Sequence, residues 1–231
     1  MWCSKILSQA ALIGIGVCAL YACSDSAQQE APELPTSATS PEAEAASGPV
    51  VLFLGDSLSA GLHLSEDQAF PAVLQRRSKA AGHPFRLINA GISGDTTSGG
   101  VGRLAWSLKA EPDVVVLELG ANDGLRGIEL ASIRANLVQM IEEIRASGAR
   151  VLLLGMKLPP NYGPAYTEGF EAIFDSLAAE YELAYVPYFL AGVGEVPRMN
   201  LPDGLHPTAE GHERVADNVA PVLWSLLASL K

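Results

Sequence analysis

Three short apolar segments constrain the fold of this chain more than any other feature of its sequence. They are Val50–Leu54, Asp113–Leu119 and Val151–Leu154, each rich in valine and leucine. Apolar runs of this length are typical of strands that are buried on both faces. Such strands occur in parallel sheets with helices packed on either side, so the chain is expected to contain a sheet of this kind.

Segments with helical periodicity separate these strands. From Ser132 to Ala146 the apolar residues recur every three or four positions, and Gly148 ends the pattern. Further helices are predicted over residues 70–81, 100–109, 166–181 and 208–230, and two more strands over 86–89 and 184–186. Strands that alternate with helices indicate right-handed crossovers and one α/β domain with a parallel sheet.

The composition excludes several classes of function. A formal net charge of −11 argues against nucleic-acid binding, because phosphates repel such a surface. All cysteines lie in the first 23 residues, so the remainder holds neither disulfides nor a thiolate zinc site. No histidine–carboxylate grouping has metal-ligand spacing, and no glycine-rich nucleotide motif occurs. We therefore predict no metal and no other cofactor, and nothing in the sequence indicates more than a monomer.

The N-terminal segment is typical of an export signal. Lys5 precedes an apolar stretch from Ala10 to Leu20, which is shorter than the roughly 20 residues of a membrane span. Residues 1–22 are therefore predicted to be a signal peptide. The alternatives are ordinary secretory cleavage after Ala22, without lipid, and an uncleaved anchor.

The end of that segment resembles a bacterial lipobox. Leu20-Tyr21-Ala22-Cys23 has tyrosine where a small residue is usual, and it predicts Cys23 as the lipid-modified N-terminus. Ser24 after the cysteine resembles the signal for outer-membrane sorting in Gram-negative bacteria, so the protein is expected in the periplasm or as an outer-membrane lipoprotein. Residues 23–48 contain almost no large apolar side chains and are predicted to be a flexible tether, which leaves 49–231 as the folded domain.

Four polar motifs follow the predicted strands or precede the last helix. They are Gly55–Ser59, Asn89–Asp95, Gly120–Asp123 and Asp203–Pro207. In an open α/β sheet, ligands bind beyond the carboxyl ends of the strands. We therefore expect the four motifs to meet at one edge of the sheet.

The residues in these motifs suit acyl transfer through a serine nucleophile. Ser57 supplies a hydroxyl, His206 a base and Asp203 a carboxylate that orients the imidazole. The backbone N–H of Gly94 and the side-chain amide of Asn122 are candidate donors to the oxyanion. Taken singly, each motif could be an ordinary turn or helix start, and the prediction depends on their joint placement.

The other histidines are not expected to act in catalysis. His63 is predicted in a surface loop, and His83 in a turn at the opposite edge of the sheet. His212 falls within the last helix and is predicted on its solvent face.

With these residues in place, the chain resembles the GDSL, or SGNH, hydrolase family. The family is named for a serine, glycine, asparagine and histidine, which match Ser57, Gly94, Asn122 and His206 here, and Asp203 matches the triad acid. The resemblance implies a flavodoxin-like three-layer α/β/α sandwich with a five-stranded parallel sheet. It also implies an oxyanion hole of the Ser57 and Gly94 backbone N–H groups and the Asn122 side chain.

Longer segments resemble the bacterial multifunctional thioesterase I, lysophospholipase and arylesterase subgroup. They are Gly55–Gly61, Ile92–Thr96, Glu118–Gly127 and Leu158–Gly163. In that subgroup the segment after the fourth strand lies beside the acyl chain, which implies substrate contacts for Leu158, Tyr162 and Tyr166 here, whereas Phe170 is expected in the core. Two other functions stay open: an esterase of acetylated envelope carbohydrate, and a non-catalytic envelope lipoprotein that uses the fold for binding.

Overall fold

A computed structural model describes residues 48–230 of the chain. The predicted signal peptide, Cys23 and nearly all of the predicted tether lie outside these residues. Within the described part, no helix is long and apolar enough to cross a membrane.

The core of the molecule is one parallel sheet in the order β2-β1-β3-β4-β5. Its strands are β1 Val50–Gly55, β2 Arg86–Asn89, β3 Val114–Glu118, β4 Arg150–Leu154 and β5 Ala184–Val186. Every residue of the two central strands, β1 and β3, is buried, as the apolar runs predicted. The order is that of a flavodoxin-like sheet, so the predicted five-stranded parallel sheet is confirmed.

Helices cover both faces of the sheet. They are α1 Ser57–Ala60, α2 Phe70–Ser78, α3 Thr97–Ser107, α4 Ala121–Leu125, α5 Leu130–Ala146, α6 Pro164–Glu180 and α7 Ala209–Ala228. Helix α2 packs against α7, whereas α5 packs against both α3 and α6. The three-layer α/β/α fold is confirmed, and the five longer helices match the predicted segments within a few residues at each end.

The amphipathic pattern of α5 shows how the sequence dictates this packing. Its apolar stripe is fully buried, and each such side chain stabilises the fold by roughly 1.5–3 kcal/mol. The stripe consists of Ile133, Leu137, Met140, Ile141 and Ile144. The helices α1 and α4 were not predicted, because a helix of about one turn is too short to display a 3.6-residue period.

The register of the two central strands sets up the functional edge of the sheet. Gly55 at the end of β1 pairs with Glu118 at the end of β3, so both strands end at the same level. Each strand then enters a short helix, α1 from Ser57 and α4 from Ala121. The residues that follow β1 and β3 therefore emerge side by side, as the motif positions predicted.

Candidate active site

A serine, a histidine and an aspartate form a continuous hydrogen-bonded chain at this edge. Nε2 of His206 lies 2.9 Å from Oγ of Ser57, and Nδ1 of His206 lies 2.7 Å from Oδ2 of Asp203. Ser57 is nearly buried, whereas His206 and Asp203 keep 21% and 40% of their side-chain surface exposed. The imidazole can therefore accept the serine proton while the carboxylate accepts the hydrogen bond of its other nitrogen.

The turn from Asp203 to His206 is held by its own backbone. Oδ1 of Asp203 accepts hydrogen bonds from the backbone N–H groups of Leu205 and His206, at 2.9 and 3.0 Å. These two bonds, and then the His206 ring, lower the pKa of Asp203 to about 2. The carboxylate is thus ionised throughout the neutral range, which suits it to stabilise an imidazolium. A spacing of three residues allows both the turn and the ring contact to form.

Ser57 is the first residue of α1, and its neighbour Asp56 caps that helix. Oδ1 of Asp56 accepts the backbone N–H of Leu58 at 2.9 Å. The preceding Gly55 leaves no room for a side chain, because a Cβ there would lie 2.2 Å from Oγ of Ser59. Gly55 is thus required for close packing of the serine turn.

The predicted oxyanion donors lie on two neighbouring loops. Nδ2 of Asn122 in α4 donates to Oδ2 of Asp56 at 3.0 Å, which leaves its second N–H for a substrate oxygen. Gly94 has a φ of +81°, a conformation that suits glycine and orients its backbone amide. One guanidinium nitrogen of Arg126 lies 3.0 Å from Gly94 O and 3.5 Å from Oδ1 of Asn122, so the two donor segments are adjacent.

A fully buried glutamate lies under the serine turn and was not predicted. Oε2 of Glu118 accepts three hydrogen bonds, from the backbone N–H groups of Asp56 and Ser59 and from Oγ of Ser59. Its Oε1 has no hydrogen-bond partner. Burial, and then the charge of Asp56, raise the pKa of Glu118 well above its usual value. A carboxylate within the otherwise apolar β3 segment was the signal that sequence analysis could have used.

Asp56 shares this buried environment. Desolvation raises its pKa to about 6, although the Leu58 N–H and the Asn122 amide act in the opposite direction. Asp56 therefore stands between the buried glutamate below it and the candidate oxyanion amide above it.

The predicted substrate-contacting residues lie beside α4. Leu158 is half-buried and packs on Gly124, where an added Cβ would lie 2.6 Å from its Cδ2. The hydroxyl groups of Tyr162 and Tyr166 donate to the backbone carbonyls of Leu125 and Ile128, at 2.8 and 2.6 Å. The structure thus brings all three side chains to the segment that follows Asn122.

Phe170 is fully buried and packs edge-to-face against Phe174, so its predicted place in the core is confirmed.

One of the three remaining histidines differs from its prediction. His212 is buried rather than exposed, and its Nδ1 accepts the backbone N–H of Phe70 at 3.1 Å. The prediction of a solvent-facing His212 was wrong, because this residue falls on the buried stripe of α7 with Val215 and Val219. Desolvation lowers its pKa to about 4. The surface position of His63 is confirmed, and His83 stacks on Trp224 just before β2, at the opposite edge.

Exposed apolar side chains flank the candidate catalytic groups. Ile92 lies in the Gly94 loop, Ile128 follows α4 and Leu205 precedes His206, and each is 39–51% exposed. Within residues 48–230, no three histidine, cysteine, aspartate or glutamate side chains are grouped closely enough to hold a metal ion.

Three known proteins that are similar to this chain are named as hydrolases of esters or thioesters. Esterase TesA of Pseudomonas aeruginosa is 48% identical over 183 residues, which are 79% of this chain and 91% of that protein. The arylesterase of Vibrio mimicus is 41% identical over 75% of this chain and 87% of its own. Thioesterase 1/protease 1/lysophospholipase L1 of Escherichia coli K12 is 39% identical over 79% of this chain and 87% of its own.

A solved structure and a family model agree with these relatives. The crystal structure of a TesA protein superposes with a TM-score of 0.74 at 48% identity, covering 77% of this chain and 99% of that one. The model of the GDSL-like lipase/acylhydrolase family matches residues 53–214, which include every residue of the site described above. The chain therefore belongs to the GDSL-like lipase/acylhydrolase family.

Proposed function

We propose that this chain hydrolyses acyl esters and thioesters through a covalent acyl-enzyme on Ser57. Family membership makes it a serine ester hydrolase. The observation that supports the assignment of residues most directly is the position of His206. Its ring lies within hydrogen-bond distance of both Ser57 Oγ, at 2.9 Å, and Asp203 Oδ2, at 2.7 Å.

Ser57, His206 and Asp203 act together in the acylation step. Oγ of Ser57 attacks the substrate carbonyl carbon while Nε2 of His206 takes the hydroxyl proton. The ionised Asp203 stabilises the imidazolium that forms. The carbonyl oxygen becomes an oxyanion and accepts hydrogen bonds from the Ser57 and Gly94 backbone N–H groups and from Asn122. Collapse of this intermediate expels the alcohol or thiol, which receives its proton from His206.

Deacylation repeats the same steps with water as the nucleophile. His206 removes a proton from water, the resulting hydroxide attacks the acyl carbonyl, and the oxyanion occupies the same three donors. When the intermediate collapses, Ser57 Oγ leaves with the proton from His206 and the carboxylic acid is released. The solvent exposure of His206, about one fifth of its side chain, gives water access to the base.

We propose medium or long acyl chains as the preferred acyl groups. Ile92, Ile128 and Leu205 expose apolar surface beside the site. Exposed apolar surface of this kind favours an apolar ligand over a small polar one. Leu158 with Tyr162 and Tyr166 adds apolar surface next to α4. The relatives named for arylesterase, thioesterase and lysophospholipase activities are consistent with acyl substrates of this kind.

The nucleophile is tested by substitution of Ser57 with alanine. Turnover of p-nitrophenyl esters should fall to background, while the circular dichroism spectrum stays that of the wild type. A fluorophosphonate probe should label the wild-type protein at Ser57 and leave the variant unlabelled. Wild-type-like turnover in the variant would refute the assignment of Ser57 as the nucleophile. No adduct on folded wild-type protein would favour a binding module.

The acyl preference is tested by a chain-length series of esters and thioesters. kcat/KM should rise from acetyl to decanoyl substrates, because each added methylene that is fully enclosed contributes about 0.8 kcal/mol of binding free energy. A hydrolase confined to acetyl esters would contradict the proposal and favour the carbohydrate acetylesterase.

We further propose that the enzyme acts as a monomer outside the cytoplasm, attached to the envelope by lipid on Cys23. The lipobox-like Leu20–Cys23 and the apolar segment before it support the anchor. The monomer is supported by the site itself, since one chain supplies Ser57, His206 and Asp203. In a Gram-negative host, labelled palmitate should be incorporated into the wild-type protein but not into the Cys23→Ser variant. The variant should also be absent from the membrane fraction. An unlabelled wild-type protein would contradict the anchor.

A further inference from the structure

We propose that Arg103 is a positioning residue that holds the two backbone donors of the oxyanion hole in register. Arg103 lies in α3, outside the four motifs that contain the catalytic groups. Its side chain is only 17% exposed, so the guanidinium is largely withdrawn from water. The inference rests on the oxyanion hole proposed above.

The guanidinium of Arg103 bonds to three acceptors, which lie on the motifs Gly55–Ser59 and Asn89–Asp95. Nε donates to Oδ2 of Asp95 at 2.7 Å, Nη1 to the carbonyl of Ala90 at 2.6 Å and Nη2 to the carbonyl of Gly55 at 2.9 Å. A rigid planar group with several donors fixes the relative positions of its acceptors in a way that a single hydrogen bond does not.

These acceptors are close in sequence to the two backbone donors. Gly55 is separated from Ser57 by one residue, and Asp95 directly follows Gly94. The Gly55 carbonyl also accepts the backbone N–H of Ile92, at 3.1 Å, so the two loops already share one bond. Arg103 adds one charge-assisted hydrogen bond each to Gly55, to Asp95 and to Ala90, which directly follows β2. It thereby links the serine turn to the Gly94 loop.

The Asp95 carboxylate is itself fixed for this role. It is 12% exposed, and its Oδ1 accepts the backbone N–H of Thr96 at 2.9 Å. Gly99 in α3 packs directly against it, because a Cβ at that position would lie 1.8 Å from Oδ1. The carboxylate therefore lies between the Gly99 backbone and the Arg103 guanidinium.

The expected signature is loss of transition-state stabilisation without loss of substrate binding. Misplacement of catalytic groups by about 1 Å can cost a hundredfold in rate. Arg103→Met should therefore lower kcat by about 30- to 100-fold and leave KM for p-nitrophenyl butyrate within about twofold. Arg103→Lys retains the charge but not the fork, and it should recover part of the rate. All rates are divided by the concentration of active sites, which is measured by complete titration with a fluorophosphonate. Unfolded protein therefore does not contribute to kcat.

A second variant perturbs the same link without touching Arg103. Gly99→Ala should displace the Asp95 carboxylate and reproduce the fall in kcat at constant KM. Arg134→Met, which removes an exposed ion pair with Glu180 on α5 and α6, is the matched control and should behave as wild type.

An alkyl trifluoromethyl ketone separates this role from a merely structural one. Ser57 Oγ adds to the ketone carbonyl, and the hemiketal oxygen occupies the oxyanion hole. Affinity for the ketone should fall in Arg103→Met and Gly99→Ala by the same factor as kcat/KM, while affinity for the product fatty acid is unchanged. Failure of the wild-type enzyme to form the adduct would refute the proposed Ser57 mechanism, of which the oxyanion hole is a part. Wild-type kcat and ketone affinity in both variants would refute only the role of Arg103.

Discussion

The site combines two regions whose carboxyl groups lie in opposite environments. At the rim, defined as the turn Asp203–His206, Asp203 is exposed, and hydrogen bonds from the His206 and Leu205 backbone N–H groups lower its pKa to about 2. At the floor, defined as Asp56 with Glu118, both carboxyl groups are buried and desolvation raises their pKa values. The carboxylate at the rim thus stays ionised at little cost in free energy. At the floor, hydrogen bonds offset the free-energy cost of burying the polar groups.

We expect the rim to take part in the reaction and the floor to position the groups that do. In the proposed mechanism His206 transfers the proton and Asp203 stabilises the imidazolium. Both are held by local bonds within one turn, so their replacement should leave the fold intact. The floor residues are buried and hold the serine turn and the Asn122 amide, so their replacement should lower stability together with activity. Substitutions at His206, Asn122 and Glu118 examine this contrast in order of decreasing expected effect. A fourth, at His212, examines a buried titratable group outside both regions.

Replacement of the base at the rim should have the largest effect. His206→Ala should lower kcat by roughly 10⁴-fold or more, since loss of one triad member removes most of the catalytic power of the unit. The free energy of unfolding, from urea denaturation, should change by no more than about 1 kcal/mol, because backbone hydrogen bonds to Asp203 hold the turn without the imidazole. A loss of stability above about 2 kcal/mol would show that the rim also has a structural role.

Asn122 connects the two regions and should show an intermediate effect. Asn122→Ala should lower kcat by roughly 10²–10³-fold, the usual cost of one oxyanion donor. KM should change little, because the bond strengthens only as the oxyanion forms. Steady-state kinetics on a p-nitrophenyl ester measure both parameters, and an effect below about threefold would remove Asn122 from the oxyanion hole.

Substitution at the floor should act on stability first. Glu118→Ala leaves the N–H groups of Asp56 and Ser59 and the Ser59 hydroxyl buried without an acceptor, at about 1–3 kcal/mol each. The variant should therefore lose about 3 kcal/mol or more in urea denaturation.

Glu118→Gln is the matched control for this substitution, because it retains an acceptor oxygen. Its pH dependence carries a second test. The raised pKa of Glu118 means that the folded state disfavours ionisation, so wild-type stability falls as pH rises above the usual value of 4.5. Glu118→Gln should lack this contribution. Equal stability of the alanine and glutamine variants would contradict the proposed floor.

His212 should give the smallest effect, and only in acid. Its pKa is lowered from 6.5 to about 4, so the folded state favours the neutral ring that accepts the Phe70 N–H. Its contribution is complete above pH 6.5 and is lost as pH falls towards 4, with an upper bound of about 3 kcal/mol. His212→Gln removes the titration, so its stability should decline less than that of the wild type between pH 7 and 4. Parallel pH curves would contradict this.

Local patterns were sufficient to predict most of the fold. The buried strands β1, β3 and β4 follow from apolar runs, and the stripe of α5 follows from its period. The same periodicity could have placed His212 correctly, because it lies three, four and seven positions before Val215, Ala216 and Val219 on one helical face. A polar residue type misled the prediction where the spacing was informative.

The sequence by itself determined the candidate catalytic groups and the side of the sheet on which they lie. Motifs that follow parallel strands must meet at one edge, and Asp203 and His206 are close enough in sequence to pair within one turn. Only the tertiary structure decided how these groups are held. The contacts of Glu118 with the serine turn and of Arg103 with Asp95 and Gly55 join residues 8 to 62 positions apart. No local propensity encodes such contacts, because they form only when packing excludes water and leaves each buried polar group to find its partner.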